Sequence, residues 1–303
     1  IMESQATIRK RIPLIAALMS FLLPGWGQLY NGQIKKSIAF FIVPPLCYLI
    51  LGLSGTTTSF NGLVYTLLFI LAYRIIAAID ACISAKKQKD YTLKKCNTWY
   101  YYLLSICFMC VILITLTCIN VLGIKSYRVP SVSLLPTFEP GDVVIKNFKA
   151  YKNKPIDYGD IIIFDYEGDK WEGSGEWVFR VAGLPNDSIR IENNTLHING
   201  QACEKTFVRD TTVYDLHYFE FTEQLPNGHT HNIYIFDRYF RGEKAPDYKT
   251  RVPENSYFVL GDNRDNAMDS RLIGCIKKES ITGQAVYIAY GKTCNRLNID
   301  LRK

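Results

Sequence analysis

Three long apolar stretches within the first part of the chain constrain its fold more than any other feature. They cover residues 37–55, 62–84 and 98–124. Each stretch is long enough to cross about 30 Å of hydrocarbon as a helix that rises ~1.5 Å per residue. An earlier apolar stretch, residues 12–30, is interrupted by the letters PGWG and is more typical of an interfacial or half-inserted segment. The sequence therefore predicts a membrane domain over residues 1–125.

The balance of charged residues changes where the apolar stretches end. Residues 1–125 hold 12 lysines and arginines against 3 acidic residues, whereas residues 126–303 hold 23 against 25. A nucleic-acid-binding protein needs a basic folded domain, and the larger C-terminal part of this chain is slightly acidic. With 48% hydrophobic and 21% charged residues, the composition also excludes a disordered chain. The pattern predicts a membrane anchor with basic flanks, followed by a soluble domain over residues 126–303.

The lysines and arginines of the first part predict an orientation in the membrane. Basic residues precede the first and third apolar stretches, and the loop of residues 55–62 carries no charge. The positive-inside rule then places both basic loops in the cytoplasm and residues 126–303 on the extracytoplasmic side of the cytoplasmic membrane. No small-residue cleavage site follows the first apolar stretch, so a cleavable signal peptide is not expected. Arg74 and Asp80 are candidate functional charges, although snorkelling near the cytoplasmic end is the simpler interpretation.

Residues 126–303 show the pattern of a mostly-β domain. Short β-branched runs alternate with turn residues, and the sequence shows no long amphipathic helix. The predicted strands are residues 143–147, 160–164, 177–182, 188–192, 232–236, 257–260 and 284–289. Asn199-Gly200 between two further runs predicts a tight hairpin. The long polar and aromatic stretch of residues 203–253 is predicted to be an inserted β sub-domain.

Three segments of the predicted outer domain have unusual chemistry. Residues 129–137, VPSVSLLPT, put the hydroxyls of Ser131 and Ser133 on the same side of an extended chain. That arrangement suits a nucleophile with a second hydroxyl that stabilises an oxyanion. Residues 179–187, FRVAGLPND, are predicted to be a strand that runs into a tight turn. Residues 261–271, GDNRDNAMDSR, concentrate charges that either brace one another or form the wall of a site.

In this order, the three segments resemble the type I signal peptidases, the bacterial leader peptidase family of Ser/Lys serine peptidases. The resemblance extends over about residues 126–290. It implies N-terminal membrane α-helices plus a mostly-β catalytic domain with an inserted β sub-domain. It also implies a membrane-bound serine endopeptidase that removes signal peptides from exported preproteins at small-residue sites. The implied partners are preproteins, the lipid bilayer and the protein export machinery, with no cofactor and no metal.

The resemblance also assigns positions within the candidate site. It gives Ser133 the position of the nucleophile and Ser131 a place in the oxyanion hole. The residues that match the family's supporting segments are Arg180, Asp262, Arg264, Asp269, Ser270 and Arg271. Phe179 stands where the family has its general-base lysine, and Ala267 stands where the family has a serine that hydrogen-bonds that lysine. A phenyl ring cannot accept the Ser133 proton, so the alternative prediction is a catalytically inactive homologue that binds exported chains or acts as a scaffold.

Five residues are candidate substitutes for the missing base. They are Lys146, Lys170, His217, His229 and His231. Each would have to lie close to Ser133 in the fold. Ser84 and Lys87 have a spacing used by other Ser/Lys enzymes, but they fall in the predicted cytoplasmic region and are interpreted as a coincidence. His229 and His231 could together bind a metal, although a solvated loop is the preferred interpretation.

Two further predictions concern apolar and sulfur-containing residues of the outer domain. Leu134, Leu135 and Phe138 either help the domain sit on the membrane surface or pack in its core, and core packing is the favoured interpretation. At most one disulfide bond can form among the three cysteines of this domain, Cys203, Cys275 and Cys294.

Overall fold

The structure is a computed structural model that describes residues 10–88, 90–118, 120, 122–152, 154–168, 174–239 and 245–302. The chain divides into two compact units, Ile1–Gly123 and Ile124–Lys303. The first unit is helical and the second is mostly β-sheet. The predicted fold class, N-terminal membrane-type α-helices followed by a mostly-β domain, is confirmed.

The described part of the first unit is built from α-helices. They are α1 (Pro13–Leu22), α2 (Trp26–Tyr30), α3 (Ile34–Ser54), α4 (Phe60–Lys87) and α5 (Trp99–Cys118). Helices α3, α4 and α5 are long and apolar enough to cross a membrane by length and composition. The predicted stretch of residues 98–124 is too long at its C-terminal end. The helix ends earlier because Asn120 and Gly123 adopt positive φ angles of 48° and 65°, which an α-helix does not accommodate.

Residues 12–30 fold as helix, turn and helix, and pack against α4. Gly27 makes the close approach possible, because a Cβ atom there would overlap the Ala16 carbonyl oxygen and lie 2.7 Å from Ala81 Cβ. Gln28 is fully buried, and its amide donates to the Ala77 carbonyl oxygen of α4 at 2.9 Å. Residues 24–27 therefore form a tightly packed turn that leads from α1 into α2. The buried amide of Gln28, which follows this turn, is hydrogen-bonded, as buried polar groups generally are.

The second unit consists of short antiparallel strands. In chain order they are β1 (Ile124–Arg128), β2 (Val143–Asn147), β3 (Ile161–Glu167), β4 (Ser174–Gly183), β5 (Ser188–Glu192), β6 (Thr195–Ile198), β7 (Gln201–Ala202), β8 (Lys205–Val213), β9 (Leu216–Gln224), β10 (Thr230–Phe236), β11 (Tyr248–Arg251), β12 (Ser256–Leu260), β13 (Ile276–Lys277), β14 (Ile281–Tyr290) and β15 (Ile299–Asp300). One short helix, α6 (Ser270–Ile273), follows β12. The 3₁₀ turns described in the two units are Thr56–Thr58, Lys95–Asn97, Asp237–Tyr239, Lys278–Ser280 and Cys294–Arg296.

The strands form three sheets. The largest has the order β1-β2-β14-β3-β4-β12-β13, with β15 added to β14. A second sheet has the order β10-β9-β8 and lies within the predicted insertion, and a third has the order β11-β5-β6-β7. The predicted hairpin is confirmed: Asn199 and Gly200 have φ angles of 52° and 84°, as a two-residue turn with both central residues left-handed requires.

The apolar residues beside Ser133 belong to the core of the second unit. Leu134, Leu135 and Phe138 are 2%, 3% and 0% exposed, which confirms core packing and excludes contact of these side chains with a membrane surface. Cys203 is buried and Cys275 half-buried, and both are free thiols. The two thiols therefore do not pair with each other.

Candidate active site

The segment that carries Ser131 and Ser133 is a loop between β1 and β2, and hydrogen bonds from one residue hold it in place. The backbone N–H of Asn263 donates to the Ser133 carbonyl oxygen at 3.1 Å. The Asn263 side-chain amide donates to the Val132 carbonyl oxygen at 3.2 Å. Ser131 is exposed and Ser133 is half-buried. The loop's backbone is therefore fixed by the segment of residues 261–271, as a site built from these two segments would need.

A buried ion pair joins all three of the segments that the sequence singles out. Arg180 on β4 donates from Nε to Asp262 Oδ1 at 2.8 Å and from Nη2 to Asp262 Oδ2 at 2.7 Å. The Thr137 hydroxyl donates to Asp262 Oδ2 at 2.5 Å. Arg180 and Asp262 are 4% and 1% exposed. This bidentate geometry with an added hydroxyl is the arrangement that makes a desolvated ion pair tolerable.

The remaining charges of residues 261–271 brace one another. Asp269 accepts from the Gly261 N–H at 2.9 Å and from Arg271 Nε at 2.8 Å. The Ser270 hydroxyl accepts from the backbone N–H of Val259 at 2.9 Å. The segment is thus a salt-bridged scaffold loop, one of the two readings that its sequence allows.

Arg264 has a partner that the sequence did not single out. Its guanidinium forms a buried, two-pronged pair with Glu223 of β9, with one of the bonds 3.0 Å long. A buried arginine needs a carboxylate, so the sequence signals that some acid must be close. It does not signal which acid, because Glu223 lies 41 residues away within the insertion.

Phe179 and Ala267 lie together against the Ser133 loop. A Cβ atom on Gly261 would overlap Ala267 Cβ, would lie 2.6 Å from the Ser133 carbonyl oxygen, and would lie 3.6 Å from Cε1 of the Phe179 ring. Phe179 is only 4% exposed and belongs to an apolar cluster that includes Phe164. The Phe179 ring also packs edge-on against Trp177, with 6.2 Å between centroids. The two substituted positions are therefore physical neighbours, as the resemblance implies.

None of the candidate substitute bases forms a hydrogen bond with Ser133 among the described residues. Lys146 is fully buried, is paired with Glu176, and donates to the Thr282 hydroxyl at 2.6 Å. His217 lies on β9 with its Nδ1 atom 3.5 Å from Asp237. Lys170 lies outside the described residues. The Ser133 hydroxyl itself has no hydrogen-bond partner within the described chain.

His229 lies beside Arg180, and His231 lies beside Glu223 and Asp262. The sequence did not predict these surroundings. His231 is 8% exposed, so the solvated-loop interpretation is wrong for this residue. Strand β10 carries it inwards, where its Nε2 atom lies 3.6 Å from Glu223 and 3.8 Å from Asp262. His229 Nε2 lies 3.3 Å from Arg180 Nη1. Both histidines line a cavity of about 650 Å³ whose wall includes residues 135–137 but not Ser133.

The pKa values of both histidines are lowered. Burial is the largest cause, and the guanidinium of Arg180 adds to it in both cases. For His231, the guanidinium of Arg264 adds further. Nearby carboxylates do not reverse the effect, because Asp262 and Glu223 are already paired with these arginines. Within the described residues, no group of three or more His, Cys, Asp or Glu side chains could hold a metal ion.

The family follows from comparison with known proteins. A family model described as signal peptidase, peptidase S26, matches residues 100–290. The chain belongs to the signal peptidase family. The signal peptidase I of Bacillus caldolyticus is 32% identical over 160 residues, which cover 53% of this chain and 76% of the relative. The signal peptidase I of Buchnera aphidicola subsp. Acyrthosiphon pisum (strain APS) is 25% identical over 246 residues, which cover 65% of this chain and 77% of the relative.

A solved structure was also found in the comparison. The crystal structure of a signal peptidase I from Enterococcus faecalis V583 is 24% identical, covers 44% of this chain and 98% of its own, and has a TM-score of 0.27. At that TM-score the superposition carries no argument. The resemblance read from the three motifs is thus confirmed at the level of the signal peptidase family. The roles of Ser131, Ser133 and their supporting residues stay predictions.

Proposed function

We propose that the outer unit binds signal-peptide-bearing exported chains beside Ser131 and Ser133, and that this chain does not turn them over by a Ser/Lys mechanism. The observation that carries the proposal is the apolar contact at Gly261. Phe179 and Ala267 meet there against the Ser133 loop, and both offer only carbon atoms where the motif resemblance expects an amine and a hydroxyl. An extended substrate would bind by strand addition, in the manner of other peptide-binding sheets.

A second candidate is an active serine endopeptidase that removes signal peptides at small-residue sites. It is supported by the retained Ser131 and Ser133 and by the intact bracing of their loop through Asn263. Its difficulty is quantitative. A general base contributes roughly 10²–10⁴-fold to a rate, and loss of one member of a nucleophile–base unit can reach about 10⁶-fold. Among the described residues, no general base that could restore this rate factor forms a hydrogen bond with Ser133.

The membrane arrangement belongs to the same proposal. We place the chain in the cytoplasmic membrane with several passes and with residues 126–303 outside, where exported chains and the export machinery are encountered. The three helices of spanning length and the basic loops that flank them support this orientation. Protease added outside spheroplasts should digest residues 126–303, and protection of that unit would contradict the orientation.

The decisive experiment measures cleavage of a radiolabelled preprotein by the full-length protein in detergent. The variants are Ser133→Ala, the double change Phe179→Lys with Ala267→Ser, and a matched control, Phe179→Met with Ala267→Ser. Methionine is unbranched like lysine, ends one heavy atom earlier and carries no amine. Burial lowers the pKa of a lysine amine and so favours its neutral form, which is the form that can accept a proton. We expect the lysine variant to exceed the methionine control by about 10²-fold or more.

Binding is measured on the same proteins, by the fluorescence anisotropy of a labelled signal peptide. We expect the native chain and Ser133→Ala to bind it equally and the native chain to show no cleavage above Ser133→Ala. Cleavage by the native chain that Ser133→Ala abolishes would establish the peptidase instead. Absence of both binding and cleavage, in variants that remain folded, would overturn both candidates.

A further inference from the structure

An apolar groove lies between the first turns of α3 and α5 in the helical unit. It has a volume of about 370 Å³, and its walls include Ile34, Ile38, Phe41, Leu104 and Phe108. Ile38, Leu104 and Phe108 are each at least half exposed. Because α3 and α5 are both long and apolar enough to span a membrane, this groove would face hydrocarbon rather than water in a bilayer.

A second cavity adjoins the groove at Ile34, and its chemistry is different. It has a volume of about 320 Å³ and is lined by residues 32–36, which include Lys35 and Lys36. Ile34 lines both cavities. On one side of Ile34 the cavity lining contains two lysines, and on the other side it is apolar. We call the two cavities together the Ile34 cleft.

The two lysines of the Ile34 cleft differ in whether a carboxylate of the described residues neutralises them. Within the described residues of this unit, the carboxylates are those of Asp80 and Asp90. Asp80 is paired with Lys36 at 2.8 Å. Lys35 has no carboxylate partner among the described residues. The cleft therefore places the Lys35 ammonium group, which no carboxylate of the described residues pairs, beside a groove with an apolar lining.

We propose that the Ile34 cleft binds an anionic phospholipid, with its phosphate group at Lys35 and one acyl chain in the groove between α3 and α5. Each part of the cleft selects one property of the ligand. A free phosphate would leave the apolar groove empty, and a zwitterionic lipid would bring no net negative charge to the lysine. The proposal rests on the helices being in a membrane and is independent of what happens at Ser133. One lysine near anionic headgroups changes affinity by roughly fivefold.

The test is native mass spectrometry of the full-length protein released from non-ionic detergent. The probes are dioleoylphosphatidylglycerol, dioleoylphosphatidylcholine with the same acyl chains, and glycerol phosphate without them. Lys35→Gln tests the headgroup contact, and Lys86→Gln is its control, an exposed lysine of α4 that does not line the cleft. Ile38→Trp fills the groove. Ile42→Trp is its control, because Ile42 is 52% exposed, as Ile38 is, and does not line the groove.

We expect one phosphatidylglycerol to bind more tightly than phosphatidylcholine, and Lys35→Gln to weaken that binding by about fivefold with Lys86→Gln changing it less than twofold. Ile38→Trp should remove the bound lipid, and Ile42→Trp should retain it. Equal binding of the two lipids, or equal effects of a variant and its control, would overturn the proposal. Binding of glycerol phosphate as tightly as phosphatidylglycerol would overturn it too, because the groove would then contribute nothing.

Discussion

Two neighbouring residues on β4, Phe179 and Arg180, have opposite chemical surroundings. Arg180 donates hydrogen bonds to Asp262 and to the Thr137 hydroxyl. Phe179, on the opposite face of the strand, belongs to an apolar cluster against which Ala267 packs. The charged face of β4 is held by buried hydrogen bonds, whereas on the apolar face the side chains of Phe179 and Ala267 carry no group that could accept a proton.

The difference follows from the energetics of buried charges. Removing one partner of a buried ion pair leaves the other uncompensated, whereas replacing a whole buried polar pair by apolar groups of similar volume is often neutral or stabilising. At the positions that the resemblance assigns to the lysine and its serine, Phe179 and Ala267 are both apolar, so neither side chain leaves a polar group without a partner there. Arg180 and Asp262 are both buried, so loss of either one would leave the other charge without its partner.

The largest effect is therefore expected on the charged face. Asp262→Asn removes the carboxylate that Arg180 needs and should lower the free energy of unfolding of the outer unit by about 3–5 kcal/mol. The control is Glu192→Gln, which breaks an exposed pair with Arg190 and should cost less than about 1 kcal/mol. Urea-dependent pulse proteolysis of the full-length protein measures both. Equal losses in the two variants would show that burial does not distinguish these pairs.

A smaller effect is expected where the two faces meet, at Gly261. Gly261→Ala would force a Cβ atom into Ala267 and the Ser133 carbonyl oxygen, at a cost of about 1–3 kcal/mol. Ala267→Gly removes one of these two contacts, so the double variant should recover part of the loss but not all of it. The recovery is measured as a double-mutant cycle by the same proteolysis. Strict additivity of the two changes would mean that the contact read from the structure does not exist.

The sequence predicts part of the fold and part of the candidate site. The segments around Phe179, Ser133 and Asp262 carry recognisable motifs, and strands such as β2 and β5 stand where the β-branched runs are. The contact between Arg264 and Glu223 could not be predicted, because sequence patterns locate a buried charge without identifying its distant partner. The same holds for Gln28, whose hydrogen bond to α4 depends on how helices pack. Local periodicity of apolar residues predicts helices and strands, whereas the partner of a buried polar side chain depends on the tertiary fold.

The smallest expected effect concerns His231, which lies beside the charged face and takes no hydrogen bond from it. Its pKa is lowered, first by burial and then by Arg180 and Arg264. Between the lowered folded value and the ordinary unfolded value of about 6.5, the unfolded chain binds more protons, so stability falls as the pH drops below that value.

We therefore expect the outer unit to lose up to about 1.4 kcal/mol per pH unit below about pH 6.5 through this residue. His231→Phe should remove that contribution, because a ring of similar size fills the site without titrating. His197→Phe on β6 is the control for placing phenylalanine at a histidine position. The contribution of all other groups to the pH profile is common to the native chain and His231→Phe, so the difference between their profiles isolates His231. Parallel profiles for the native chain and His231→Phe would mean that His231 takes up no proton on unfolding.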